Sequence, residues 1–335
     1  MVWALLPIFQ MRRLSLQSYQ PNHFIKYYSI QTQMENNQQP TVLVLGASGT
    51  IGSQVVKDLE GQGVKVRITS RKQDVVEQLI SEGKDCKYLD LDDPRTFALA
   101  LAGVDRVFLL TGYTVAMLTQ SKTLVDAAKK AGVSHIVHVG VFAEWDTTDA
   151  HFAWHQMIEK YIEASGIAWT HLHPNMFMEV FTGLYIPKNH TYTSYWDDRR
   201  VGYIASSDIA AVAAKALLEG PQRHGGQHYW LSVESFNGQE IAELLSEVTG
   251  VEIKHENKGL EGFVELVETL TSQGAESWYT RANIDFVTQM LDGRMSYMSM
   301  VQNDIPYVLG RPAKTLQEFL TEHKDAILDS ATSKL

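Results

Sequence analysis

Residues 41–59 read TVLVLGASGTIGSQVVKDL. A β-branched apolar run comes first. Three glycines spaced three apart follow, and then apolar residues at helical intervals. Strand, glycine turn and helix, in that order, make a cradle for a phosphate group. Gly46 lets the chain turn sharply, Gly49 lets the backbone approach a pyrophosphate, and Gly52 lets the helix pack close to the strand. The start of that helix offers unpaired N–H groups and the positive end of its dipole to the anion. A glycine-rich stretch alone is a weak signal, so its surroundings decide.

Outward from it, the same alternation recurs. Short β-branched or apolar runs lie at 64–69, 105–110, 134–140 and 168–173, with a weaker one at 86–90. Helical patterns lie between them at 50–60, 73–82, 94–102, 115–131 and 151–165. Gly61, Gly63, Gly83, Gly103, Gly132 and Gly166 supply their stops. Strand–helix alternation at this spacing builds βαβ units, and right-handed crossovers wind them into a parallel sheet covered on both faces. The fold class is therefore α/β: a doubly wound Rossmann core over residues 39–175, with ligands expected at the carboxyl ends of the strands. From 176 to 330 the rhythm loosens. Residues 181–203 are aromatic, polar and turn-rich. A helix at 207–219, a strand at 227–232, a helix at 238–249, a strand at 251–255 and a largely helical remainder follow. This reads as a smaller, mostly helical substrate-binding part that folds over the strand ends and returns strands and helices to the core.

Composition sets limits on this reading. The chain has 335 residues, 44% of them apolar and 20% charged, as in a folded globular protein. Its net charge of −10, without a Lys/Arg run, argues against direct nucleic-acid binding. The single cysteine, Cys86, fits a reducing compartment and a cytoplasmic location. Residues 1–38 stand apart. The first 34 carry Arg12, Arg13 and Lys26 and no acid, so the rest of the chain carries −13. Their apolar stretch VWALLPIF is too short to span a membrane, and no basic residue precedes it. They read as a disordered extension, a start assigned too early, or a presequence for organelle import.

The second strand ends in TSRK. An NAD site usually places Asp or Glu here for the ribose 2′-hydroxyl. This chain places Arg71, 19 residues after Gly52, with Lys72 beside it. Arginine suits a 2′-phosphate through a charge-assisted bond, so NADP(H) is preferred to NAD(H).

Taken in order, GASGTIG, TSRK, YLDLDDP, VFLLTG, AGVSHIVHVG and the stretch from His155 to Asn175 resemble the NmrA-like branch of the atypical short-chain dehydrogenases/reductases. The triphenylmethane-reductase and quinone-reductase-like members are the most similar. The C-terminal GRPAKTLQEFLTEH resembles how these proteins end, and the similarity covers roughly residues 41–326. The resemblance implies that Gly46, Ser48, Gly49, Thr50, Ile51 and Gly52 wrap the pyrophosphate and that Arg71 holds the 2′-phosphate. It further implies that Asp90 and Leu91 flank the adenine, that Thr111 and Gly112 line a ribose, and that Pro174, Asn175, Met176 and Phe177 face the nicotinamide.

The resemblance stops at the acid–base residues. Typical members of the wider family use a Tyr-x-x-x-Lys pair, and here no lysine has a tyrosine four positions before it. Val139, Gly140 and Val141 stand where a Ser or Thr is usual. Isoflavone-reductase-like relatives use a lysine early in the helix that here spans 151–165, and that slot matches His155. An unperturbed pKa of about 6.5 would suit His155 to proton exchange. Hydride transfer to a quinone or a cationic dye needs less help, because the acceptor is already electrophilic and protons can come from water. Tyr185, Tyr192, Tyr195, Trp196, Tyr203, Trp278 and Tyr279 are candidate walls for such an acceptor, with core packing as the competing role. Trp145 and Trp154 are candidates for the pocket rim. His151, His155 and Glu159 share one helix face, as zinc ligands can. The pattern is not H-E-x-x-H, however, and no metal is expected. His151, His171 and His173 read as structural, and Ser207 or Asp208 as the cap of its helix.

Two functions follow. One is an NADPH-dependent reductase of an electrophilic small molecule, such as a quinone or dye. The other is a non-catalytic NADP(H) sensor of the NmrA type, which would have a regulatory protein partner. A homodimer is compatible with either.

Overall fold

The computed structural model describes residues 39–112 and 114–332. The N-terminal extension, whether tail or presequence, lies outside the described residues. Pro40–Leu335 forms one compact unit.

Seven parallel strands make the central sheet: β1 (Thr41–Val44), β2 (Lys65–Ser70), β3 (Asp85–Tyr88), β4 (Arg106–Leu109), β5 (His135–Val139), β6 (Ala168–Pro174) and β10 (Gln227–Leu231). Their order is β10-β6-β5-β4-β1-β2-β3. The order reverses at β1, which pairs with β2 on one side and β4 on the other. A crevice opens at such a switch point, outside the carboxyl ends of the strands. β1 and β5 are buried at every residue, as a sheet covered on both faces requires.

Each face has its own apolar layer. On one, α1 (Thr50–Leu59) and α6 (Ser206–Glu219) bury Ile51, Val55, Leu59, Ile209, Val212, Ala213 and Leu217 against Val42, Val44 and Val137. On the other, α3 (Phe97–Leu101), α4 (Met117–Ala131) and α5 (Ala150–Ser165) bury Phe97, Leu124, Ile158 and Ile162 against Leu43, Val107 and Ile136. The remaining helix of this alternating half is α2 (Gln73–Ser81). Gly132 and Gly166 end α4 and α5 in the left-handed conformation that glycine adopts most readily.

Beyond β6 the chain makes two small sheets. β7 (Met176–Phe177), β9 (Val201–Ile204) and β11 (Glu234–Phe236) form one, and β8 (Thr191–Ser194) with β12 (Lys254–Asn257) forms the other. The strand expected at 251–255 is therefore β12, displaced toward the C-terminus, where it pairs with β8. A short α7 (Pro221–His224) precedes β10, and α8 (Gly238–Thr249) precedes β12. The rest is helical: α9 (Gly259–Ser272), α10 (Ser277–Asp292), α11 (Asp304–Leu309), α12 (Leu316–Glu322) and α13 (Lys324–Thr332).

The cap expected for α6 at Ser207 or Asp208 comes from elsewhere. The carboxylate of Glu179 accepts from the Ser206 N–H at 3.0 Å and from the Ser206 hydroxyl. Asp208, 1% exposed, pairs with Arg311 at 2.8 Å and accepts from the Lys314 N–H at 2.7 Å. It ties the C-terminal GRPAK segment to the core instead of capping its own helix. Among the described residues, no helix is long and apolar enough to cross a membrane.

Candidate active site

The glycine turn can be tested by asking what a methyl group would meet. Gly46 has φ +65°, a conformation strained for other residues, and a Cβ there would sit 3.1 Å from Leu110. A Cβ on Gly52 would overlap the Gly46 carbonyl, so the helix approaches the strand as closely as it does only because Gly52 has no side chain. Gly49 caps α1 with extended backbone, no side chain caps the helix, and its first turn carries no acid. The donors at this helix start are thus left to an incoming anion. A pyrophosphate fits this cradle.

From the cradle a cavity of about 480 Å³ runs along the carboxyl ends of the strands. After β1 it takes Gly49, Thr50 and Ile51, and after β4 Leu110 and Thr111. Val139, Gly140, Val141 and Phe142 follow from β5, and Pro174, Asn175, Met176 and Phe177 from β6. His151, Phe152 and His155 reach it from α5, while Asn283, Phe286 and Met298 close it from the C-terminal part. Glu179, Val180 and Ser206 complete the lining. A mostly apolar chamber with a few convergent polar groups is the usual form of a small-molecule site.

The structure thus brings together Gly49, Thr50, Ile51, Thr111, His155 and Pro174 through Phe177. Gly46 and Ser48 belong to the turn, Gly52 lies in the first turn of α1, and Gly112 is an exposed residue beside Thr111. Arg71 follows β2, is exposed and makes no ion pair among the described residues. Asp90 and Leu91 follow β3, at the sheet edge farthest from β6 and β10. The Asp90 carboxylate accepts from the Asp92 N–H at 3.0 Å. Asn175 serves as a bracket. Its amide donates to Ser232 at 3.1 Å and to the Met298 carbonyl at 2.9 Å, which joins β6 to the segments that close the cavity.

The aromatic walls are not those the sequence suggests. Tyr192, Trp196 and Tyr203 are fully buried in the core of the C-terminal part, with Tyr195 among them and Tyr185 packed against them. Trp278 and Trp145 point to solvent, at 76% and 88% exposure. Tyr279 bonds the His151 Nε2 at 2.6 Å and stands 6.3 Å from Trp154, ring centre to ring centre. The cavity's rings are instead Phe142, Phe152, Phe177 and Phe286. Phe152 and Phe286 come from segments more than 130 residues apart and meet with centroids at 5.5 Å. Single phenylalanines in unrelated elements leave no sequence pattern by which to group them.

Asp149 positions α5 by accepting from the Phe152 N–H at 2.9 Å, and burial pushes its carboxyl up to about 6. His155 is 7% exposed, and its Nδ1 has no hydrogen-bond partner among the described residues. Burial holds its pKa well below the usual value, with His151, His138 and His173 adding to the effect. Against the unperturbed value near 6.5, burial therefore disfavours the charged ring. His151 is pushed down to about 4 by the same cause.

Glu159 has a placement that the sequence did not suggest. It is not grouped with His151 and His155 around a common point. Its carboxyl lies under Gly140, where a Cβ on that residue would strike it. It therefore fills the space that a Ser or Thr side chain would take at that position. Burial, and secondarily Glu163, push Glu159 up to about 8.

The profile of the NmrA-like family matches residues 38–284. An NAD(P)H azoreductase of Xenophilus azovorans is 31% identical over 291 residues, covering 85% of this chain and 98% of that protein. Two solved structures share the fold. Triphenylmethane reductase of Citrobacter sp., complexed with NADP(H), aligns with a TM-score of 0.71 at 21% identity, over 85% of this chain and 99% of that one. Nmra, a negative transcriptional regulator in complex with NADP, aligns with a TM-score of 0.68 at 15% identity, over 89% of this chain and 99% of that one.

Proposed function

The chain belongs to the NmrA-like family, and we propose that it is an NADP(H)-dependent reductase whose acceptor is an electrophilic small molecule such as a quinone or dye. The observation that carries this is the cavity: one space joins the glycine cradle to an apolar chamber lined by Phe142, Phe152, Phe177 and Phe286. The regulatory reading has less behind it. The azoreductase matches nearly end to end at 31% identity, whereas the regulator shares the fold at 15%.

In this reading Gly46, Ser48, Gly49, Thr50, Ile51 and Gly52 hold the pyrophosphate at the start of α1. Arg71 takes the 2′-phosphate, which favours NADP(H) over NAD(H). Asp90 and Leu91 flank the adenine, Thr111 and Gly112 line a ribose, and Pro174 to Phe177 face the nicotinamide. When bound, the dinucleotide supplies the hydride. The phenylalanines and Met298 hold a flat acceptor in place and exclude water. Such positioning supplies roughly 7–11 kcal/mol in the best cases. His155, neutral and buried, orients the acceptor through a ring N–H or lone pair, and the proton comes from water. The lone Cys86 fits a cytoplasmic setting.

Following NADPH oxidation with a panel of azo compounds, quinones and triphenylmethane dyes tests the reading. Turnover of at least one class is expected. Tight NADPH binding with no turnover of any acceptor would sink it in favour of the sensor.

A further inference from the structure

We propose that His138, Glu159 and His171 form a binding site for a divalent transition metal ion, zinc above all, beneath the floor of the cavity. The sheet register makes the pair. His138 on β5 and His171 on β6 are direct partners across parallel strands, so their rings leave the same face side by side, with centroids 5.4 Å apart and edge to face. α5 lies over that face and lowers Glu159 onto it. One ligand atom from each of the three lies within 4.8 Å of the others, and all three residues are buried.

The second observation is the state of the rings. His138 and His171 are 0% exposed, and neither ring nitrogen of either residue has a hydrogen-bond partner among the described residues. Four buried nitrogens without hydrogen bonds are costly in an apolar core, and natural cores almost always satisfy such groups; the Glu163 carboxylate comes only to 3.9 Å of His171 Nε2. A metal ion satisfies two of them at once. Two imidazoles and a carboxylate are a recurrent zinc set that leaves a fourth position open.

A neighbouring trio supplies the way in. Glu159, His173 and His228 also converge within 4.8 Å, and His228 is exposed at the surface. His173 Nε2 lies 2.9 Å from His228 Nδ1, and its Nδ1 lies 2.9 Å from the Val141 carbonyl. A backbone carbonyl behind an imidazole is the usual way a ligand histidine is held in orientation. Glu159 is common to both sets, so an ion entering at His228 can be handed inward without leaving its carboxylate.

The test uses the full chain, stripped with a chelator and then dialysed against ZnCl2 or CoCl2. One retained equivalent is expected, together with the visible absorption of Co²⁺ in nitrogen and oxygen ligation. E159Q and H171Q should weaken retention about tenfold or more, since even outer partners of metal ligands cost that much. H190N, at an exposed loop histidine, should leave it unchanged. The Co²⁺ spectrum of the unmodified protein decides the point even if a variant fails to fold. No retained equivalent, a spectrum of aqueous Co²⁺, or retention undiminished in folded E159Q would overturn the site.

Discussion

At the scale of single residues, two groups carry opposite kinds of information. Arg71 is exposed and makes no ion pair among the described residues, so its effect is confined to what it binds. Arg71→Glu should weaken NADPH about tenfold or more, the worth of one charge-assisted bond, and leave NADH nearly unchanged. Fluorescence titration with both cofactors checks this, and equal effects on the two would remove the 2′-phosphate role. Glu159 is buried, so its effect is on folding. Its carboxyl is held at about 8 against 4.5 in the unfolded chain. The folded state then binds the extra proton, and stability falls as pH rises from 4.5 through 8. The histidines act in the other direction. His138 and His151, held near 3 and 4, cost stability as pH falls below 6.5. Between pH 6.5 and 8, with a chelator present, the wild type should lose at most about 1.4 kcal/mol per pH unit from Glu159. E159Q should flatten that slope in urea unfolding; an unchanged slope would show that the carboxyl is already ionised.

At the scale of elements, α5 decides the site. Its start carries Phe152, His151 and His155 to the cavity, and its middle carries Glu159 under Gly140. Asp149 is the cap that sets this start. Asp149→Ala should cost about 1 kcal/mol, within the range of 0.5–2 for a lost N-cap. It should also raise the KM of the acceptor, because the first turn frays. Thermal unfolding and steady-state kinetics measure the two effects. An unaltered Tm would mean that packing alone holds the helix start. The existence of α5 was legible from its apolar spacing and from Gly166 at its end. Which of its faces meets which strand was not legible.

At the scale of the whole molecule, the C-terminal part completes the sheet and closes the cavity. β10 adds to β6 as the seventh strand, and α6 packs beside α1. Asp208 fastens the last segment to this body through Arg311 and the Lys314 N–H. The arginine is half-exposed and screened, but the Asp208 carboxylate is buried, so the backbone bond dominates. Asp208→Asn should lower stability by about 1.5–3 kcal/mol, the worth of a hydrogen bond to a charged group. Denaturant unfolding reads this directly. A value near zero would assign the docking of α12 and α13 to their apolar contacts.

The sequence by itself determined the Rossmann core, because local signals build it. Strand and helix periods, glycine stops and a strand–turn–helix cradle each act within a few residues. Glycine at 52 is demanded by a carbonyl only six residues away. The expectation of NADP(H) was local for the same reason, since Arg71 directly follows the second strand. Only the tertiary structure decided the chamber and the burial of its titratable groups. Phe142, Phe152 and Phe286 join Phe177 around one cavity, and Phe286 comes from more than 130 residues beyond Phe152, while the conspicuous run of Tyr and Trp at 185–203 goes into the core. The charge state of His155 and Glu159 depends on how much water the neighbouring elements exclude. Burial is a property of packing, and no local pattern encodes it.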